Sequence, residues 1–287
     1  MILVFDIGGS RTRIARVDAV STDVQDVPSL SGRMEYETPQ NFDEAVEKLN
    51  AGLQSQKGPG EEPAAVCGGF PGQHNRSDSV ITYAPNLPQW VGRSLIGALR
   101  QKNDGATGVP EGIPLLLEND AALAALAEAR LGSGKGHAIV VFLTLSTGVG
   151  GARVVRGHID SSTFGFEPGH QIVEWQTGKS LEDFVSGKGI QAEYGMEIQR
   201  ITDAAARDQI GRILAVGLHN VILHWSPEIV VLGGPVILKQ PAIDLSTVRP
   251  YVAKSLKFKT VPDIVPAMLS TDAGLIGAAL MAQDSLI

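Results

Sequence analysis

The sequence contains one pattern twice: an apolar strand, a glycine-rich turn and a second strand. The first copy covers residues 2–5, 6–10 and 12–17, and the second covers residues 137–145, 146–151 and 152–155. On both sides of each turn the apolar residues run or alternate as they do in β-strands. A strand follows each turn, whereas a helix follows the glycine turn of a dinucleotide-binding fold or a P-loop. The repeat predicts two similar α/β lobes that face a shared cleft.

Further elements are expected between and after the two copies. Helices are predicted at residues 41–53, 90–100, 181–185, 190–194, 204–224 and 273–280, and strands at 64–67, 115–117 and 228–232. The long helix rests on apolar residues that recur at helical spacing. The stretch 73–90 is expected to be a loop, and residues 54–63 and 101–114 are Gly- and Pro-containing connections.

Composition limits the class of protein. With 287 residues, 43% of them hydrophobic, the chain can form one large or two medium domains. The net charge of -7 argues against a nucleic-acid surface but not against phosphate, which backbone N–H groups and a metal can hold. The lone Cys67 excludes an internal disulfide and a multi-cysteine metal site. It fits a reducing cytosol, and with neither signal peptide nor membrane span in the sequence we expect a cytoplasmic protein.

Two polar residues, Asn119 and Asp120, lie between the leucines of a predicted strand and the helix-forming run AALAALAEARLG. In open α/β sheets ligands bind outside the carboxyl ends of strands. The simpler alternative is that Asn119 or Asp120 only caps the helix, since both residue types lead the N-cap preference. The local sequence alone favours this alternative.

The glycine turns favour an anion site. Consecutive glycines expose backbone N–H groups and let another atom approach closely. Asp6 beside the first turn could hold Mg²⁺ directly or through water. Thr147-Gly148 could grip the same polyphosphate, and Gly233-Gly234 could lie against a flat base. Any one turn is more simply explained as a hairpin connection, but three at strand ends favour a nucleotide cleft.

A third group of polar residues is Glu167 and His170 in a Gly/Pro loop, followed by Glu182. Carboxylate and imidazole groups could converge there on the hydroxyls of a polyhydroxy ligand. Without further context, a solvated loop is the favoured alternative.

In this order, DIGGSRTRIA, PNLPQW, ENDAALAALAEA, TLSTGVGGARVVRG, GFEPGH, SLEDFVSG and IVVLGGPV resemble the ROK family of repressors and sugar kinases. The resemblance extends from residue 2 to about residue 279. It implies an α/β fold with two RNase H-like lobes of the hexokinase–actin–Hsp70 type and an interdomain cleft that holds ATP and sugar. The expected lobes are 1–117, completed by helix 275–287, and 118–274, with hinges near 115–120 and 273–276.

The resemblance also implies roles for individual residues. Positions of the nucleotide motifs are matched by Asp6, Gly8, Gly9, Thr12, Thr147, Gly148, Gly233 and Gly234. Positions that bind sugar hydroxyls are matched by Asn86, Asn119, Glu167, His170 and Glu182. Asp120 matches the catalytic base, which takes the proton of the sugar's primary hydroxyl as that oxygen attacks the γ-phosphorus of ATP. The implied cofactors are ATP and Mg²⁺, with Asp6 holding the ion through water.

One departure from the family is large. The family's CxCGxxGC segment, which binds structural zinc together with the GH histidine, corresponds here to residues 173–180, which contain no cysteine. Val, Trp and Ser cannot replace three thiolates, so we predict no zinc, with His170 serving the sugar alone. Packing around Trp175 is expected to replace the stabilisation by the metal. A smaller departure is Ser146 in place of glycine, which puts the nucleotide preference in doubt.

The expected activity is ATP-dependent phosphorylation of a hexose, with glucose to glucose 6-phosphate as the first choice. Fructose, mannose, allose and N-acetylmannosamine remain alternative substrates, and a non-catalytic sugar-sensing ROK protein is the alternative class. ROK repressors carry an N-terminal helix-turn-helix domain, for which the position of Asp6 leaves no room. A chaperone or filament protein of the same fold group would not need Asn119, Asp120, Glu167 and His170. The expected partners are hexose and ATP, without nucleic acid or membrane; a homodimer is common in the family, but no stretch identifies an interface.

Overall fold

The computed structural model describes residues 1–18, 27–75, 79–101, 108–163, 165–257 and 260–286. The chain divides into two compact units, one formed by Met1–Ala127 with Thr271–Ile287 and the other by Glu128–Ser270. It therefore passes from one unit to the other twice. The lobe boundaries expected from the sequence lie earlier at the first passage and later at the second, and they stay a prediction.

The first unit is built on a five-stranded sheet with helices beside it. Its described elements are β1 (Ile2–Ile7), β2 (Arg11–Val17), β3 (Leu30–Glu37), α1 (Phe42–Ser55), β4 (Ala65–Phe70), β5 (Gln73–His74), β6 (Ile81–Tyr83), α2 (Leu95–Arg100), β7 (Leu115–Asn119) and α3 (Asp120–Arg130), whose last turn continues into the second unit. The strand order is β3-β2-β1-β4-β7. Strand β2 is antiparallel to both of its neighbours, β3 and β1, whereas β1, β4 and β7 are parallel to one another.

Because β1, β4 and β7 are parallel, their carboxyl ends lie at one edge of the sheet. Asp6 pairs with Gly69 in register, and Gly69 pairs with Glu118. Neighbouring strands are about 4.8 Å apart. Asp6 and the Asn119-Asp120 pair therefore reach the same sheet edge, with only the glycine strand β4 between them.

The second unit repeats this sheet. Its described elements are β8 (Ile139–Leu145), β9 (Val149–Val155), β10 (His158–Ile159), β11 (Ile172–Glu174), β12 (Lys179–Ser180), α4 (Leu181–Val185), α5 (Gly187–Tyr194), α6 (Ala204–Trp225), β13 (Ile229–Gly233), α7 (Pro235–Leu238), α8 (Leu245–Ser255) and β14 (Asp263–Pro266). The order β10-β9-β8-β13-β14 has the same sequence of antiparallel and parallel pairs as the first sheet. The predicted pair of similar α/β lobes is confirmed.

The last helix, α9 (Ala273–Asp284), belongs to the first unit and is buried along most of its length. A Cβ added at Gly277 would lie 1.9 Å from the carbonyl oxygen of Leu123 in α3. The two helix backbones therefore touch, which only glycine permits at this position. This contact explains the small residues of the C-terminal segment. Among the described helices, none is long and apolar enough to cross a membrane.

The structure corrects several predicted elements. The helix expected at residues 90–100 is wrong in its first half, because the chain forms a 3-10 turn at Pro88–Trp90 and starts α2 only after Ser94, whose hydroxyl caps it. Gly92 between them has a φ of +84°, which a helix does not accept. The loop expected at 73–90 contains the short strands β5 and β6.

Candidate functional site

The first glycine turn connects β1 to β2. The Gly8 N–H donates to the carbonyl oxygen of Arg11 at 2.8 Å. A Cβ added at Gly9 would lie 2.8 Å from Cβ of Asn86, so the Asn86 side chain packs directly on this turn. A residue predicted to hold phosphate and a residue predicted to hold sugar are thus in contact within one unit.

Thr12 lies on the inner side of the same hairpin and is 3% exposed. Its hydroxyl is 3.0 Å from that of Thr38, which in turn donates to the Gly8 carbonyl oxygen at 2.8 Å. Thr12 therefore braces the turn from the core, and a direct contact with phosphate stays a prediction. No sequence motif points to Thr38, because its partner Thr12 is 26 residues away along the chain.

Asp6 ends up almost enclosed at the end of β1, with 13% of its side chain exposed. One oxygen is 3.3 Å from Nη1 of Arg13. Burial raises the pKa of Asp6 to about 6, against the opposing effect of the Arg13 charge and hydrogen bond. On another side lies Gly274 of α9, where an added Cβ would be 2.8 Å from Cγ of Asp6. Sequence reasoning missed both neighbours.

Asn119 and Asp120, at the junction of β7 and α3, make different hydrogen bonds. The Asn119 side chain accepts the N–H of Ala122 at 3.2 Å and donates to the Gly72 carbonyl oxygen at 3.1 Å. The Asp120 carboxylate accepts the N–H of Ala121 at 2.8 Å. Asn119 is therefore the cap of α3, and Asp120 is the first residue of the helix.

Asp120 has room for its position because β4 carries a glycine beside it. A Cβ added at Gly69 would lie 3.1 Å from the Asp120 Cα. Any other residue at 69 would press on the start of α3. The strand predicted at residues 64–67 continues as β4 to Phe70, and two glycines at or just beyond its end contact functional candidates: Gly69 contacts Asp120, and Gly72 contacts Asn119.

The second unit contains the turn from β8 to β9. The Val149 N–H donates to one carboxylate oxygen of Glu182 at 2.6 Å. The same oxygen would be 2.5 Å from a Cβ at Gly148. The carboxylate of Glu182, which is predicted to bind sugar, therefore contacts the turn that is predicted to bind phosphate.

Glu167 precedes a single 3-10 turn, Pro168–His170, and its Oε2 lies 3.8 Å from Nδ1 of His170, the last residue of the turn. Both side chains are partly exposed, at 29% and 41%. A Cβ at Gly169 would lie 2.3 Å from the Val149 carbonyl oxygen, so this loop packs on the start of β9. Val149 thus joins the Glu167/His170 loop and Glu182 to the glycine turn.

Gly233 is the last residue of β13 and pairs with Thr144 near the end of β8, and Gly234 follows it. Gly234 has a φ of +85°, and a Cβ there would lie 2.2 Å from the Leu145 carbonyl oxygen. At Gly233 a Cβ would lie 2.8 Å from the ring of Phe142. The fold alone requires both glycines, and contact with adenosine stays a prediction.

The hairpin of β11 and β12 contains residues 173–180, the segment predicted to hold no zinc. Trp175 at its tip is 82% exposed. The prediction that its packing replaces the stabilisation by zinc is wrong, because an indole in solvent contributes little buried area. Among the described residues no three His, Cys, Asp or Glu side chains are grouped to hold a metal ion.

Two α/β units of the same topology, each with a glycine turn between its first strands, define the hexokinase–actin–Hsp70 class. The profile of the ROK family matches residues 2–285, and the chain belongs to the ROK family. It resembles the sugar kinases of that family.

Three proteins illustrate this similarity. A ROK hexokinase structure from Thermus thermophilus is 26% identical, with 99% of this chain and 98% of that chain covered and a TM-score of 0.79. A glucokinase from Thermotoga maritima is 28% identical over 267 residues, which cover 79% of this chain and 81% of that protein. A ROK family glucokinase from Streptomyces griseus, solved with glucose and AMPPNP, is 22% identical, with 99% of both chains covered and a TM-score of 0.74. The predicted fold class is confirmed.

Proposed function

We propose that the protein is an ATP-dependent hexose kinase that converts glucose to glucose 6-phosphate. The observation that carries the proposal is the sheet edge of the first unit. There the glycine turn after Asp6, the amide of Asn86 on Gly9, and the pair Asn119-Asp120 all occur on the ends of paired strands or beside them. This arrangement offers a phosphate-binding turn, hydroxyl-binding amides and a carboxylate base.

In the proposed reaction Asp120 accepts the proton of the sugar's primary hydroxyl as the oxygen attacks phosphorus. Its carboxylate is oriented by the N–H of Ala121, at a helix start where partial positive charge favours a carboxylate. The amide oxygen of Asn119 accepts the Ala122 N–H and its amide nitrogen donates to Gly72. These two hydrogen bonds fix the orientation of the amide that is proposed to bind a sugar hydroxyl. Such positioning is the main source of rate in phosphoryl transfer.

The nucleotide is assigned in the proposal to the glycine turns, and Mg²⁺ to Asp6. The fit is chemical: Mg²⁺ prefers oxygen ligands, and Asp6 supplies a carboxylate beside exposed backbone N–H groups. When bound, the ion would neutralise phosphate charge. The protein's own contribution is to hold Asp6 in place through Arg13 and the absence of a side chain at Gly274.

We choose glucose as the proposed substrate because the glucokinases from Thermotoga maritima and Streptomyces griseus are among the similar proteins. The hydroxyl-binding set proposed for this chain is Asn86, Asn119, Glu167, His170 and Glu182. Glu167 and His170 lie beside each other, so the carboxylate can offer hydrogen-bond acceptors next to a donor of the imidazole ring.

A coupled ADP-release assay over a panel of sugars tests the proposal. We expect Mg²⁺- and ATP-dependent release of ADP that requires a sugar, with the highest kcat/KM for glucose among glucose, fructose, mannose, allose and N-acetylmannosamine. A different preferred sugar would correct the substrate. No sugar-dependent release with any of them would refute the kinase.

A further inference from the structure

The turn that connects β8 to β9 is fastened to the segment that follows β12. The Gly187 N–H donates to the Ser146 carbonyl oxygen at 2.7 Å, and the Lys188 N–H donates to the Thr147 carbonyl oxygen at 3.3 Å. The Glu182 carboxylate accepts the Val149 N–H at 2.6 Å. Three backbone groups of the turn, the carbonyl oxygens of Ser146 and Thr147 and the N–H of Val149, are therefore held by residues 182–188.

Glu182 is the only side chain among these three partners; the other two are backbone groups. It is the second residue of α4, whose start is fixed by a capping box between Ser180 and Asp183. The helix ends at Val185, and the next residue, Ser186, caps α5 and is completely buried. The position of the Glu182 backbone is thus set by two caps, and its side chain reaches back onto the turn.

The contact also accounts for the glycine at position 148. The distance of 2.5 Å between Glu182 Oε2 and a Cβ at Gly148 shows that any side chain there would displace the carboxylate. A glycine usually explained by the approach of a phosphate is here already required by Glu182.

We propose that Glu182 is a positioning residue for the nucleotide: its carboxylate holds the Ser146–Val149 turn in the shape that binds phosphate, in addition to any contact with sugar. This inference rests on the proposed kinase function. The N–H groups of Ser146 and Val149 already have acceptors in Gly148 and Glu182. The phosphate is therefore placed on the N–H groups of Thr147 and Gly148, whose directions depend on how the turn is held.

The test is the binding of AMPPNP with Mg²⁺ in the absence of sugar, measured by titration calorimetry. A residue that only contacts sugar has no effect on this quantity. We expect Glu182→Ala to weaken AMPPNP binding at least tenfold. Glu182→Gln should stay within threefold of wild type, since its amide oxygen can still accept the Val149 N–H. The matched control is Glu167→Ala, which removes the other carboxylate proposed for the sugar in this unit and should leave AMPPNP binding unchanged.

Steady-state kinetics with hexose and ATP separate a contact of Glu182 with sugar from its positioning of the nucleotide turn. In Glu182→Gln we expect a raised KM for the hexose with little change in the KM for ATP, whereas Glu182→Ala should raise both. Thermal melts establish that each variant is folded at the assay temperature. Wild-type AMPPNP affinity in folded Glu182→Ala would overturn the positioning role while leaving the kinase proposal intact. Failure of the wild-type protein to bind AMPPNP, with or without hexose, would overturn both.

Discussion

Replacing Gly274 by alanine would place a methyl group against the Asp6 carboxylate. The added Cβ lies 2.8 Å from Cγ of Asp6 and 2.9 and 3.0 Å from its two oxygens. Non-bonded atoms of this size pack at about 3.5–4.0 Å, so the carboxylate must retreat by about 0.7–1.2 Å. A misplacement of about 1 Å in a group that positions the reaction costs about 100-fold in rate. We therefore expect kcat/KM of Gly274→Ala to fall about 100-fold, equivalent to about 2.7 kcal/mol.

The same substitution should leave the fold intact. Alanine is favoured over glycine in helices by about 0.5–1 kcal/mol, which offsets part of the cost of moving Asp6. The assay is coupled ADP release with varied Mg²⁺, combined with urea unfolding. The half-saturating Mg²⁺ concentration should rise, because Asp6 is the proposed holder of the ion.

The matched control is Gly211→Ala in α6, where an added Cβ meets its nearest neighbours at 3.5 and 3.6 Å, ordinary contact distances. It should keep wild-type activity and be as stable as wild type or slightly more stable. Wild-type kcat/KM in Gly274→Ala would refute the reasoning about Asp6. A large loss of stability in that variant would show that α9 moves in place of the carboxylate.

Three further predictions concern stability. Burial raises the pKa of Asp6 from 3.8 to about 6, so the folded state favours the protonated carboxyl. The resulting contribution to the free energy of unfolding is complete below about pH 3.8 and is lost as the pH rises through 6. Urea unfolding should show wild type losing about 2.4 kcal/mol relative to Asp6→Asn between pH 4 and pH 7, and parallel pH profiles would contradict this. Asn119→Ala removes the cap of α3 and should lower the unfolding free energy by about 1 kcal/mol; an unchanged urea midpoint would argue against the cap. Trp175→Ala, at an exposed hairpin tip, should change stability by less than about 0.5 kcal/mol, and a loss of several kcal/mol would mean that the indole is covered.

Local sequence patterns predicted the elements whose apolar periodicity and capping residues lie within the element itself. Both glycine hairpins, the strand before Asn119 and the helices α1 and α6 follow from apolar periodicity and from residues such as Asn41, which caps α1. The edge strand β3 was missed because most of its side chains are exposed and Gly32 interrupts it with a φ of +60°. Helix α8 was missed as well, and it contains Pro250 in its interior, where proline normally ends a helix.

Sequence motifs select the candidate site residues, which stay a prediction, but they do not predict the contacts between those residues. Arg13 could have been found, because the short turn after Asp6 fixes the hairpin register and places Arg13 directly opposite it. The approach of Gly274 to Asp6 could not, since it depends on how a helix more than 260 residues further along the chain packs on β1. The Glu182 contact with Val149 likewise depends on the packing of α4 against β9.

The central claim is that Asp120 is the base of a sugar kinase. Its most direct test compares wild type with Asp120→Asn in ADP release with glucose and in glucose binding by calorimetry. The variant keeps the size of the side chain and, through its amide oxygen, the hydrogen bond to Ala121. We predict that it binds glucose as wild type does but that kcat falls by about 100- to 10,000-fold. Near-normal turnover in Asp120→Asn would contradict the claim.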